Sequence, residues 1–211
     1  VLPKAVRRSL LLALPFQASI LAVAVAFLVA GFNSQVVLTA LLALSMWAPA
    51  AAELVFRTSL PRALQLHYLI FITLGPFAGS ALNAYAAIPE WDTYIHFDSG
   101  VMIAWLGMLW VRRVEEHLAV SLPRWFGLLV ILLTAMAFAA AWELCEFASD
   151  QLIGTVSQSG LEDTMADILA GTSGGLFAII LLLTLGRPRS LAPASLLRSA
   201  HREQAASLPQ A

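Results

Sequence analysis

The sequence predicts an all-α fold of the polytopic membrane class: a six-helix transmembrane bundle with both termini cytoplasmic. Three observations carry that expectation. Of 211 residues, 60% are hydrophobic and 12% charged, and the mean hydropathy is +0.81, well outside the range of soluble domains. The apolar residues gather into six runs, most of them near the ~20 residues that cross the hydrocarbon core. All 12 Lys and Arg fall before the first run, after the sixth or in alternate breaks between runs, which places them on a single face of the membrane, and basic residues are retained on the cytoplasmic side. The runs are continuous and lack the strict alternation of a barrel strand.

The first run, 9–31, follows Lys4, Arg7 and Arg8. A basic start before apolar residues imitates a secretory signal, but the run is too long for one, and its removal would spoil the alternation of charge. The second, 35–56, follows "GFNSQ" and is followed by Arg57 and Arg62. The third, 66–88, opens at the interfacial His67. The fourth and shortest, 95–111, follows "IPEWDTY" and ends at Arg112 and Arg113. The fifth, 125–147, follows Arg124, and the longer break "SDQLIGTVSQSGLED" separates it from the sixth, 164–185. Pro15, Pro49 and Pro76 lie inside runs, where they should kink helices. Trp91, Trp105, Trp110, Trp125 and Trp142 lie mostly near run ends, as interfacial anchors. Residues 1–186 are expected as one transmembrane domain. Residues 187–211, with Arg187, Arg189, Arg198 and Arg202, read as a cytoplasmic polar tail with a short amphipathic helix on the inner surface.

With the faces assigned, nine of the 13 acidic residues fall on the outer half: Glu90, Asp92, Asp98, Glu143, Glu146, Asp150, Glu162, Asp163 and Asp167. No Lys or Arg accompanies them. Helical spacing groups them further, because residues three and four apart share a face. Glu143, Glu146 and Asp150 form a stripe on the fifth span. Asp163 and Asp167 open the sixth, continued by Gly171 and by Gly174 or Gly175. On the fourth, Asp92 and His96 are followed on the same side by Gly100.

An acidic side chain at mid-membrane costs about 3 kcal/mol, less near the interface, so several together need compensation. A hydrated vestibule, shared protons or a bound cation would each supply it. Carboxylates with one imidazole are ligands for a divalent metal ion (zinc, manganese or iron), and Glu143-x-x-Glu146 has the spacing of metal-holding pairs in helical bundles. The expected ligands are Asp92, His96, Glu146, Asp150, Asp163 and Asp167, with Glu143 as a catalytic general base. Cys145 points off the glutamate face, and as the lone cysteine it excludes an intrachain disulfide and a cysteine-based zinc site. "GTSGG", Gly171–Gly175, inside an apolar run reads as a close helix contact of the Gly-x-x-x-Gly kind. No P-loop, dinucleotide fingerprint or Ser-His-Asp order is present, and the dispersed basic residues give nucleic-acid binding no support.

The motifs "WDTYIHFDSG", "AAWELCEFASDQLIGT" and "LEDTMADILAGTSGG" together resemble the bacterial inner-membrane family typified by YjdF and, more loosely, the VanZ-like proteins. The resemblance covers Trp91 to Gly175. It departs from the pattern before Asp163, where the loop is shorter and lacks a Gly-Asp-rich run. The resemblance implies a small multi-pass protein of the bacterial cytoplasmic (inner) membrane, with Asp92, His96, Glu143, Glu146, Asp163, Thr164 and Asp167 as its shared positions. The VanZ-like link points to the cell envelope. Three functions stay open: a metal-dependent hydrolase of a lipid-linked or envelope substrate, a divalent cation or proton transporter with Asp98 on its path, and a non-catalytic membrane subunit with a structural ion site. The expected partners are the lipid bilayer and, for the hydrolase, a lipid-linked substrate.

Overall fold

The structure, a computed structural model, describes residues 2–184; the expected tail over 187–211 lies outside the described residues. Every regular element among the described residues is helical. Five stretches are long and apolar enough to cross a membrane: Lys4–Ala30, Asn33–Val55, Trp91–Leu118, Arg124–Leu152 and Leu161–Thr184. The chain divides into two compact units, meeting in sequence between Ile88 and Pro89.

The first unit opens with α1 (Lys4–Ala30), which ends at Gly31 in the left-handed conformation. There the Gly31 amide donates to the Leu28 carbonyl and the Phe32 amide to that of Phe27, which closes the helix end. α2 (Asn33–Ser45) and α3 (Ala48–Val55) together form the second apolar stretch, interrupted at Met46 and Trp47, just before Pro49. The third expected span is divided. α4 (Arg62–Ile72) has only 11 residues and widens into a π-helical segment, Thr73–Ala81, before the short α5 (Ala84–Ala87). Pro76 lies inside that segment; its ring cannot donate to the carbonyl four residues back and clashes with it, and a wider turn relieves the clash.

An apolar core holds these helices, built from Ala13, Ile20, Leu42, Met46, Leu69 and Phe77 with their neighbours. Near one end the buried Glu53 carboxylate is fully bonded. Ser9 Oγ donates to its Oε2 at 2.7 Å, and the Leu60 amide and Gln65 Nε2 donate to its Oε1 at 2.8 and 2.9 Å. Such satisfaction makes a buried polar group tolerable.

The second unit is an up-down-up bundle of α6 (Trp91–Leu118), α7 (Arg124–Ile153) and α8 (Leu161–Thr184). The 28 and 30 residues of α6 and α7 span roughly 42 and 45 Å, more than the ~30 Å hydrocarbon core. Lipid gives apolar faces no reason to leave it, so association depends on close backbone approach through small residues. A Cβ at Gly100 would collide with the Gly171 carbonyl, and one at Gly174 with that of Phe97. On the other side of α8, Gly171 and Gly175 lie against the side chains of Ala139 and Ala135. The expected Gly171/Gly175 contact is therefore present, with Gly100 and Gly174 as a second one. Further along, Ala104, Ile131, Ala178 and Ile179 close an apolar core.

Candidate metal centre

The three close-packed helices determine where the polar residues go. On α6 the ladder Asp92, His96, Gly100, Ala104 advances four residues at a time; on α7 it is Glu143, Ala139, Ala135, Ile131; on α8 it is Asp167, Gly171, Gly175, Ile179. Residues four apart share a face, so each helix presents small residues along the contact and continues it with ionisable ones at the same end. Glycine and alanine draw the backbones together, and that approach brings three polar stripes into one cluster.

His96 is its centre. Its Nε2 lies 3.5 Å from Asp92 Oδ1, 3.9 Å from Asp167 Oδ2 and 4.0 Å from Glu143 Oε1. Potential ligand atoms form two sets that share this imidazole, Asp92/His96/Asp167 and His96/Glu143/Glu146, the atoms of each set lying within 4.8 Å of one another. His96, Glu143 and Asp167 are buried, with 6, 3 and 3% exposure, whereas Asp92 and Glu146 are partly open and form a rim. At that rim Trp142 Nε1 donates to Glu146 Oε1 at 2.8 Å.

The spacing has chemical meaning. A hydrogen bond between such groups would be about 2.7–3.2 Å long, and these separations exceed it. Metal–ligand bonds near 2.0–2.1 Å in a tetrahedron put neighbouring ligand atoms about 3.3 Å apart, so the carboxylates of either set would have to draw in around an ion, the pairs of a set now lying as much as 4.8 Å apart. Glu143 Oε1 is buried and has no hydrogen-bond partner among the described residues. The donor set, one imidazole among carboxylates, fits zinc, manganese or iron better than calcium or magnesium, which prefer oxygen alone.

Residues 12–188 match the family described as "Predicted membrane protein (DUF2238)". The chain belongs to that family. DUF2238 is the family that YjdF typifies, so the likeness read from the three motifs holds at the family level. Neither the curated proteins nor the solved structures contain a match.

In this DUF2238 chain the remaining expected ligands, Asp150 and Asp163, belong to neither set. Asp150 accepts from Thr155 Oγ1 and from the Ser157 and Gln158 amides at 2.8 and 3.0 Å. Asp163 accepts the Ser159 amide at 2.9 Å, a carboxylate in the first turn of α8 reaching back as in a capping box. Asp98, two residues from His96 and so on another face of α6, is half-buried and also outside both sets. Cys145 is exposed. One contact was not anticipated: Gln158 Nε2 donates to both the main-chain oxygen and Oε2 of Glu143, each at 3.1 Å. No periodicity marks Gln158 in the sequence, because it sits in a loop.

Proposed function

We propose that this is a six-span membrane metalloprotein with cytoplasmic termini, whose outer end holds one divalent first-row ion and uses it to hydrolyse a neutral bond in a lipid-linked or envelope substrate. The observation that carries the reading is Glu143 Oε1: buried, unbonded and facing the imidazole. An orphaned carboxylate oxygen beside two more around one His96 nitrogen has a physical reason once a cation stands among them. Asp92, His96, Glu143 and Asp167 would be the ligands. Arg62–Ala81, with its π-helical half, would be the third span.

The distribution of exposure bears on the choice among functions. Structural metal sites are closed, whereas catalytic sites keep a position open to water and substrate. Three ligands here are buried, and the side with Asp92 and Glu146 is open. Glu146, rather than the enclosed Glu143, then suits the general base: at the rim it can take a proton from a water whose acidity the ion raises. Four carboxylates around one divalent ion leave about two negative charges uncompensated, and the acids have no basic neighbour at their end of α6, α7 and α8. Repulsion of that size disfavours phosphate dianions and favours an ester or amide. Transport has less support, since the apolar core of Ala104, Ile131, Ala178 and Ile179 lies along the bundle from the site.

The test is elemental analysis of the detergent-purified protein, followed by ester and amide hydrolysis assays on lipid-linked substrates. One equivalent of zinc, manganese or iron is expected in the wild type and less than a tenth in Glu143→Gln/Asp167→Asn. Glu146→Gln should keep the metal and lose turnover. A metal-free wild type that stays metal-free after incubation with each ion would overturn the proposal.

A further inference from the structure

The segment 154–160 joins α7 to α8, and as a plain connection it need touch nothing. Instead it folds back over Glu143. It leaves α7 at Gly154 (φ +77°) and enters α8 at Gly160 (φ +130°), both in backbone regions that side chains rarely adopt. Between these glycines its main chain is held by two carboxylates: Asp150 takes the Ser157 and Gln158 amides, and Asp163 takes the Ser159 amide. The result fixes Gln158, whose side-chain amide spans the main-chain oxygen and Oε2 of Glu143.

We propose that 154–160 is a strap that orients the Glu143 carboxylate for metal binding through Gln158, a positioning residue that touches the ligand and not the ion. The proposal rests on the metal-centre reading above. A carboxylate on a glutamate is a broad two-fold rotor, and tying Oε2 to a donor leaves Oε1 as the oxygen aimed at His96. A neutral amide suits this task. It polarises one oxygen without cancelling charge, whereas a lysine at this position would compete with the cation. Hydrogen-bond partners of metal ligands govern affinity in this way, and their loss typically weakens binding about 10- to 100-fold. Asp150 and Asp163 thereby acquire a role at the site without being ligands.

The experiment titrates the full chain in detergent with zinc, and separately with manganese, against a competing chelator. Gln158→Met keeps the volume and removes the donor; it should weaken binding about tenfold or more in protein that remains folded at the titration temperature. In a Glu143→Gln background the same substitution should have no further effect, because the route through Glu143 is gone. Wild-type affinity in Gln158→Met overturns the proposal and leaves the metal centre standing. A second readout, hydrogen exchange, is independent of metal. The Ser157 and Gln158 amides should exchange at least about tenfold faster in Asp150→Ala, with Asp150→Asn restoring part of the protection; unchanged exchange shows that no strap is held there. Absence of zinc, manganese and ferrous iron binding in the wild type, the iron titrated in the same way, overturns the metal centre, whatever the exchange result.

Discussion

Glu143 places a carboxylate oxygen in the protein interior without a hydrogen bond, and a buried unsatisfied acceptor costs on the order of 1–3 kcal/mol, more when charged. In the metal-free protein this cost stands uncompensated. Glu143→Gln should therefore melt at or above the wild type in chelator, and zinc should raise the melting temperature of the wild type by more than that of the variant. A lower melting temperature for the metal-free variant would mean that Glu143 is already stabilised by something other than a cation. Which of Glu143 and Glu146 is enclosed was the part of the site least legible in the sequence. Three residues apart, they differ by about 60° around α7, and spacing alone does not say which faces inward. The deciding signal lay below them: Ala135 and Ala139 continue the Glu143 stripe at the same spacing, and small residues mark the face that meets another helix.

At the scale of the element, glycine and alanine do the positioning. A methyl group at Gly100 would meet the Gly171 main chain, so Gly100→Ala must push α6 from α8 and separate His96 from Asp167. Overpacking of this kind costs about 1–3 kcal/mol. The expected outcome is a lower melting temperature together with weaker zinc binding, whereas Gly127→Ala, whose added methyl meets only a Val111 side chain at 3.4 Å, should change neither. Equal behaviour of the two variants would show that the small-residue contact does not set the site. Long elements were readable in advance because apolar length is a strong signal; α6 and α7 simply extend past the apolar runs, since helices continue through interfacial polar residues until Ala119 and Gly154 turn them. The π-helical segment was not readable. A proline within an apolar run signals a disturbance, but whether the helix kinks, breaks or widens depends on packing such as that of Tyr85 on Gly79.

For the whole molecule, the proposed topology alternates basic and acidic ends. Single cysteines in a Cys145→Ala background test it with a membrane-impermeant thiol reagent on intact cells. Ser157→Cys and Ala87→Cys should react directly, and Ser59→Cys and Ser121→Cys only after permeabilisation. If Ser59→Cys and Ala87→Cys react on the same side, the π-helical stretch does not complete a span. Within α6 the imidazole and Arg112 are 16 residues, roughly 24 Å, apart, so the acid cluster sits at one extremity of the bundle. That position has an electrical consequence. A transmembrane voltage acts on a charge at about 2.3 kcal/mol per 100 mV only if the charge crosses the whole field. In the proposed topology, a cation arriving from the outer solution at this site would cross little of it. Occupancy should then be the same in energised and de-energised membranes, as suits a centre that keeps its ion rather than one that passes it on.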